Sequence, residues 1–196
     1  MRKRLTIIGL ALSSLCSALD DNLELLISQE ELASKIAEVA QQINSDYADK
    51  NLTLVMIMKG SACVTIDLMR YLTVPFKLEY VKASSYGYNG STNGALTLSG
   101  LNQVEIEGRD VLLIDDIFET GNTILKVTEA LMEHHPKSIK TLLLLVKNIP
   151  RKTTYRPDYT LFEIENRFVI GYGLDYKELY RGLPAIYAFV NDTPPF

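Results

Sequence analysis

Apolar and polar positions alternate with two different periods along this chain. Ser28 followed by Glu31 has the form of a capping box, in which a cap hydroxyl and a glutamate three residues on satisfy free helix amides. Leu32, Ile36, Val39, Ala40 and Ile43 then fall on one helical stripe, which predicts an amphipathic helix over about 29–46. Leu52 to Met58 is a continuous apolar run of strand length, as a buried parallel strand requires. Lys59-Gly60-Ser61 breaks it, and Val64, Leu68, Met69 and Leu72 resume the helical spacing. Phe76 to Val81 reads as a strand, Val111 to Ile114 as a buried strand, Thr123 to Glu133 as a helix and Ile139 to Val146 as a strongly apolar strand. Strands alternating with helices across short connections predict an α/β domain with a parallel twisted sheet flanked by helices.

Two segments depart from that rhythm. Residues 84–102 hold four glycines with several serines and asparagines, the composition of a long loop or loose hairpin. After residue 150 the chain turns rich in tyrosine and short β-like runs: Tyr159 to Ile164, Phe168 to Tyr172 and Ala185 to Val190. These predict a small β-rich hood.

Composition narrows the chemistry. The 196 residues are 47% hydrophobic and 22% charged, which places the chain among ordinary globular proteins with a sizeable core. A formal charge of −4 argues against nucleic acid as a partner. Cys16 and Cys63 do not make a disulfide framework or a Cys-x-x-Cys pair. The only histidines are the neighbours His134 and His135, too few for a multi-histidine zinc site. No apolar run is long enough to span a bilayer, so no membrane partner is expected for the body of the chain.

The head fits two descriptions. Arg2, Lys3 and Arg4 precede an apolar stretch from Leu5 to Leu15, and Cys16-Ser17-Ala18 puts small residues before a potential cleavage point, the shape of a secretory signal peptide. The same segment also fits an extension, or a misplaced start, ahead of a cytoplasmic domain. We take 1–24 as this extension and 25–196 as the domain.

The chemistry concentrates where the strand Val111 to Ile114 runs into Asp115 and Asp116. Ile117-Phe118-Glu119-Thr120-Gly121-Asn122-Thr123 follows, and then a helix. Open α/β sheets bind ligands at the carboxyl ends of their strands. A glycine turn leading into a helix presents free backbone amides to a phosphate, and Thr120 and Thr123 add hydroxyls. Two carboxylates repel phosphate but suit sugar hydroxyls or a hydrated Mg²⁺. The pattern therefore describes a ligand with a phosphate, a polyol beside it and a metal. It is not a P-loop, because the G-x-x-x-x-G-K-[ST] arrangement is absent.

The segment Ile114 to Thr123 resembles the phosphoribosyl pyrophosphate motif of type I phosphoribosyltransferases. Met58-Lys59-Gly60-Ser61 resembles their pyrophosphate loop, and Lys82-Ala83-Ser84-Ser85-Tyr86-Gly87 the start of their mobile catalytic loop. Val146-Lys147, Phe162-Glu163-Ile164, Arg167 to Tyr176 and Tyr180 to Pro184 resemble the purine-binding end of the hypoxanthine-guanine branch. The likeness runs from about Leu25 to Val190.

The resemblance implies the type I fold with a hood, purine salvage in the cytoplasm, Mg²⁺ as cofactor, and a homodimer or homotetramer. Its substrates would be phosphoribosyl pyrophosphate and a 6-oxopurine, with hypoxanthine, guanine and xanthine not separated by the residues quoted. It implies Glu119 as catalytic base near purine N7. Phosphoribosyl pyrophosphate would be held by Lys59, Gly60, Ser85, Tyr86, Asp115, Asp116, Thr120, Gly121, Asn122, Thr123 and Arg181, with an unusual cis peptide in the Lys59–Gly60 loop. Lys147 would meet purine O6, Phe168 would stack on the ring and the Val169 backbone would accept from it. Asp175 and Asp115 would serve the metal. Three positions depart from the family pattern: Glu119 stands where aspartate is common, Arg167 where lysine is frequent, and Ser61 where glycine is frequent. A regulator that senses phosphoribosyl pyrophosphate on the same fold is the competing reading. It lacks support from the charge and from any room for a nucleic-acid-binding domain.

Overall fold

A computed structural model describes residues 22–85, 96–151 and 153–190. Residues 1–21 of the head, with the signal-like segment, and Tyr86 lie outside those residues. Among the described residues the strands are β1 (Leu23–Ile27), β2 (Leu52–Met58), β3 (Phe76–Ser85), β4 (Leu96–Ser99), β5 (Asp110–Phe118), β6 (Ser138–Lys147), β7 (Tyr159–Ile164), β8 (Val169–Ile170) and β9 (Ile186–Phe189). The helices are α1 (Gln29–Asp46), α2 (Ala62–Tyr71) and α3 (Asn122–Met132).

Six strands form the main sheet in the order β4-β3-β2-β5-β6-β7. All of its pairings are parallel except β3–β4, which is an antiparallel hairpin joining Lys82 to Ser99 and Ser85 to Leu96. The remaining strands make a three-stranded antiparallel hood sheet in the order β1-β9-β8.

Side chains that alternate along the central strands feed two cores, because successive residues of a strand point to opposite faces. Leu54, Leu112, Ile114, Leu142 and Leu144 pack with the buried stripes of α1 and α2. Val55, Ile57, Val111, Leu113 and Leu143 pack with Ile124, Val127 and Leu131 of α3. The capping box is present as read: Ser28 N donates to Glu31 Oε2 at 2.8 Å, and Glu31 N donates to Ser28 Oγ at 3.2 Å.

Two sequence expectations are corrected. Tyr159–Ile164 belongs to the main sheet, in register with β6 from Leu142↔Tyr159 to Lys147↔Ile164, and not to the hood. Its inner residues Tyr159 and Leu161 close the core over α1. The hood instead takes a strand from the other end of the chain. Leu23 pairs with Phe189 and Glu24 with Ala188, so these two residues of the segment set apart as 1–24 belong to the folded body.

The strand order also fixes where a ligand fits. From β2 the chain crosses to β3 on one side, while β5 lies on the other side of β2. That reversal opens a crevice at the carboxyl ends of β2 and β5. Met58-Lys59-Gly60 and Asp115-Asp116 occupy those two ends.

Candidate active site

Strand β5 parts from β2 after Ile114 and carries Asp115 and Asp116 onward while still paired with β6. Asp115 is buried, and its carboxylate accepts from the Asp116 amide at 3.0 Å. Burial, followed by repulsion from Asp116, raises the Asp115 proton affinity well above the usual carboxylate range. Asp116 accepts from the Ile117 amide at 2.9 Å. The chain then turns through Gly121, whose φ of 83° is left-handed, and enters α3 without a side-chain cap. The amides that follow Asn122 in the first turn of α3 take no side-chain cap. Thr120 Oγ1 accepts from Asn122 N at 3.4 Å and braces the turn. A cavity of about 230 Å³ is lined by Asp115 and by Ile117 through Ile124.

A second cavity, also about 230 Å³, shares Asp115, Ile117 and Thr123 with the first. Its other walls include Lys59, Gly60, Asp116, Asp175 and Arg181. The core sheet and the segment following β8 therefore meet around one polar space. The Met58–Lys59 peptide is cis, so the unusual bond lies on the entry side of Lys59. Gly60 passes so close to Asp116 that a Cβ there would fall 1.7 Å from Asp116 Oδ2. On the opposite wall Arg181 Nη1 donates to the Gly173 carbonyl at 2.7 Å, and Nη2 pairs with Asp175 Oδ1 at 2.7 Å.

Sequence reasoning missed Glu178. Its carboxylate accepts from Lys59 Nζ at 2.9 Å and from Arg181 Nη2 at 3.2 Å, joining two segments far apart in sequence. These bonds, that to Lys59 first, hold its carboxyl below the usual range. An exposed glutamate on a turn carries no sequence signal of that position.

The third part of the site lies at the ends of β5 and β6. Lys147 is buried, and its ammonium donates to Glu119 Oε1. Arg151, also missed, reaches back to the carbonyls of both residues. Phe168 is 38% exposed and makes an edge contact with Tyr176, centroids 5.7 Å apart. Val169 is buried in β8 opposite Ala188. Arg167 turns toward the hood, where it donates to Glu24 at 2.6 Å and to the Phe189 carbonyl at 3.0 Å. Ser61 is buried, and its hydroxyl donates to the Ile57 carbonyl at 2.7 Å. Ser85 lies at the end of β3 against Leu96.

The phosphoribosyl transferase domain family matches residues 25–177. A hypoxanthine-guanine phosphoribosyltransferase of Streptococcus thermophilus is 34% identical over 163 residues, covering 83% of this chain and 91% of the relative. The chain belongs to the phosphoribosyltransferase family, in its hypoxanthine-guanine branch. The Bacillus subtilis hypoxanthine-guanine phosphoribosyltransferase matches to the same extent, 34% over 163 residues, with 83% and 91% of the two chains covered. The crystal structure of a hypoxanthine-guanine phosphoribosyltransferase from Bacillus anthracis superposes with a TM-score of 0.79 at 34% identity, covering 85% of this chain and 98% of that one. Within this phosphoribosyltransferase the parallel sheet with its helices and antiparallel hood is the type I fold. Among the described residues, no helix is long and apolar enough to cross a membrane.

Proposed function

We propose that this phosphoribosyltransferase performs purine salvage, moving the 5-phosphoribosyl group of phosphoribosyl pyrophosphate onto hypoxanthine or guanine to give IMP or GMP and pyrophosphate. The observation that carries the assignment is the Glu119–Lys147 pair beside the phosphate-binding turn. A carboxylate and an ammonium at adjacent strand ends match a 6-oxopurine edge, which offers a proton at N7 and an acceptor at O6.

The 5-phosphate fits the Thr120–Thr123 turn, where amides of α3 and two hydroxyls converge. Asp115 and Asp116 stand where ribose hydroxyls would lie. Lys59, Gly60 and Arg181 bound the space for pyrophosphate. As the C1–oxygen bond breaks, negative charge grows on the leaving pyrophosphate, and the guanidinium fork of Arg181 is suited to meet it. Glu119 takes the proton that the purine loses as N9 bonds to C1. Lys147 donates to O6 and leaves the amino group of adenine facing a buried donor. Phe168 offers a partly exposed ring for stacking, and the Val169 backbone an acceptor for the purine edge.

The donor set also suits Mg²⁺. Asp115, Asp116 and Asp175 face one cavity, and a cation there would offset the burial and the repulsion from Asp116 that raise the Asp115 proton affinity. Among the described residues no group of three or more acidic, histidine or cysteine side chains could hold a metal alone. That matches an ion that keeps waters and takes substrate oxygens. When bound, Mg²⁺ supplies charge neutralisation to the diphosphate. The alternative of a non-catalytic sensor is disfavoured, because such a protein has no use for a paired base and O6 donor.

Glu119→Gln tests the reading. Replacing a general base is expected to lower kcat by about 10²- to 10⁴-fold with hypoxanthine while purine binding persists. Turnover near wild type would remove Glu119 from the chemistry.

A further inference from the structure

The side chains of Glu119 and Lys147 meet, yet Glu119 lies just past the end of β5, and Lys147, the last residue of β6, pairs with Ile164 of β7 and not with β5. Phe118 and Val146 are the last residues of β5 and β6 that pair with each other. Beyond them no ladder bond between these two strands fixes the spacing of the backbones that carry the base and the O6 donor.

One guanidinium spans that gap. Arg151 Nε donates to the Glu119 carbonyl at 2.8 Å, and its Nη2 donates to the Lys147 carbonyl. The Arg151 guanidinium carbon lies 5.0 Å from the centroid of the Phe118 ring, the residue just before Glu119. The Lys147 carbonyl also accepts from Ile149 N at 3.0 Å, and Asn148 N donates to the Ile164 carbonyl at 2.8 Å, so the return path of the chain toward Arg151 is itself tied down. A planar fork with fixed donor directions holds two carbonyls at a set distance. An ammonium is a single point of charge and does not reproduce that constraint.

We infer that Arg151 is a positioning residue. It sets the separation of Glu119 and Lys147, and with it the match to the N7–O6 edge of a 6-oxopurine. Arg151 does not touch the base. It acts through the two backbones, so its loss loosens both contacts on the purine together. The inference rests on the assignment of Glu119 and Lys147 given above.

The test uses the full chain as R151K and R151M, with K147M as the control for the underlying assignment. Thermal melting is read first, and kinetics are compared below each variant's own transition. Should R151M fail to fold, R151K carries the test, because it keeps the charge and most of the stem over Phe118. The expected result for R151K is a fall of about tenfold or more in kcat/KM for hypoxanthine and guanine, since small misplacements of reacting groups are costly. The loss should sit mainly in the purine KM, with a smaller change in the KM for phosphoribosyl pyrophosphate and a reduced ratio of 6-oxopurine to adenine turnover. A merely structural arginine would lower kcat for every purine by one common factor and leave that ratio intact. That pattern, or wild-type purine KM values, overturns the inference. If K147M itself kept the wild-type preference for 6-oxopurines, the site assignment would fail, whatever Arg151 did.

Discussion

Gly60 shows how tightly single residues are constrained at this site. A methyl group on it would lie 1.7 Å from Asp116 Oδ2 and 2.5 Å from Asp116 Cγ. The carboxylate cannot swing away freely, because Asp116 Oδ1 already accepts the Ile117 amide at 2.9 Å. Gly60→Ala is therefore expected to raise the KM for phosphoribosyl pyrophosphate and lower kcat/KM by about tenfold or more, with the purine KM near wild type. Steady-state kinetics with each substrate varied in turn would check this. An unchanged phosphoribosyl pyrophosphate KM would show that the close approach does not matter. At this scale the sequence was informative where chemistry and spacing coincide. Asp115, Asp116 and the Thr120–Thr123 turn are contiguous, so their meeting is implied by the chain itself. Lys147 and Glu119 come from different strands, and only the family resemblance joined them. Glu178 and Arg151 act by reaching across space to partners their own neighbourhoods do not announce.

Among the elements, α1, β2 and β7 have the bounds expected from the sequence. The first is marked by its capping box and apolar stripe; the strands are runs ended by polar breaks or turns. What periodicity does not carry is sheet membership. β7 sits among other β-like runs in sequence, but its buried alternation completes the main core over α1. β1 is only five residues, Leu-Glu-Leu-Leu-Ile, and gains its partner from β9 at the opposite end of the chain. The run expected over 168–172 shrinks to Val169–Ile170, because Gly171 and Tyr172 take left-handed φ values of 91° and 49°.

Asp46, at the end of α1, ties that helix to β6 and β7. It accepts from Lys140 Nζ at 2.8 Å and from the Tyr159 hydroxyl. These bonds, that to Lys140 first, lower its pKa below the ordinary value. A carboxyl with a lowered folded pKa stabilises the protein at pH above its unfolded pKa, and that stabilisation is lost as pH falls through the folded pKa. The pair is partly exposed, so its worth is discounted to within about 1 kcal/mol. Asp46→Asn should therefore lower urea stability slightly at pH 7, and the gap from wild type should shrink only below about pH 4. Urea midpoints measured across that range would test it. A gap that widened in acid would contradict the sign.

For the whole molecule, function follows from joining two sheets. The main sheet supplies the Thr120–Thr123 turn proposed for the 5-phosphate, the neighbouring aspartates and the Glu119–Lys147 pair at its carboxyl end. The turns between β8 and β9 supply Asp175 and Arg181, and the approach to β8 supplies Phe168. The α/β class and the position of the crevice were legible, because alternating elements and a polar strand end constrain both. The composition of the hood was not, because it depends on pairing between the two ends of the chain. The central claim is that this joint site transfers a phosphoribosyl group to a 6-oxopurine. Its most direct test is pyrophosphate release with Mg²⁺, phosphoribosyl pyrophosphate and hypoxanthine, guanine, xanthine or adenine in turn. The account predicts release with hypoxanthine and guanine, and kcat/KM at least about 100-fold lower with adenine, whose amino group would face the buried Lys147. No release with either hypoxanthine or guanine, or adenine used as well as they are, would contradict it.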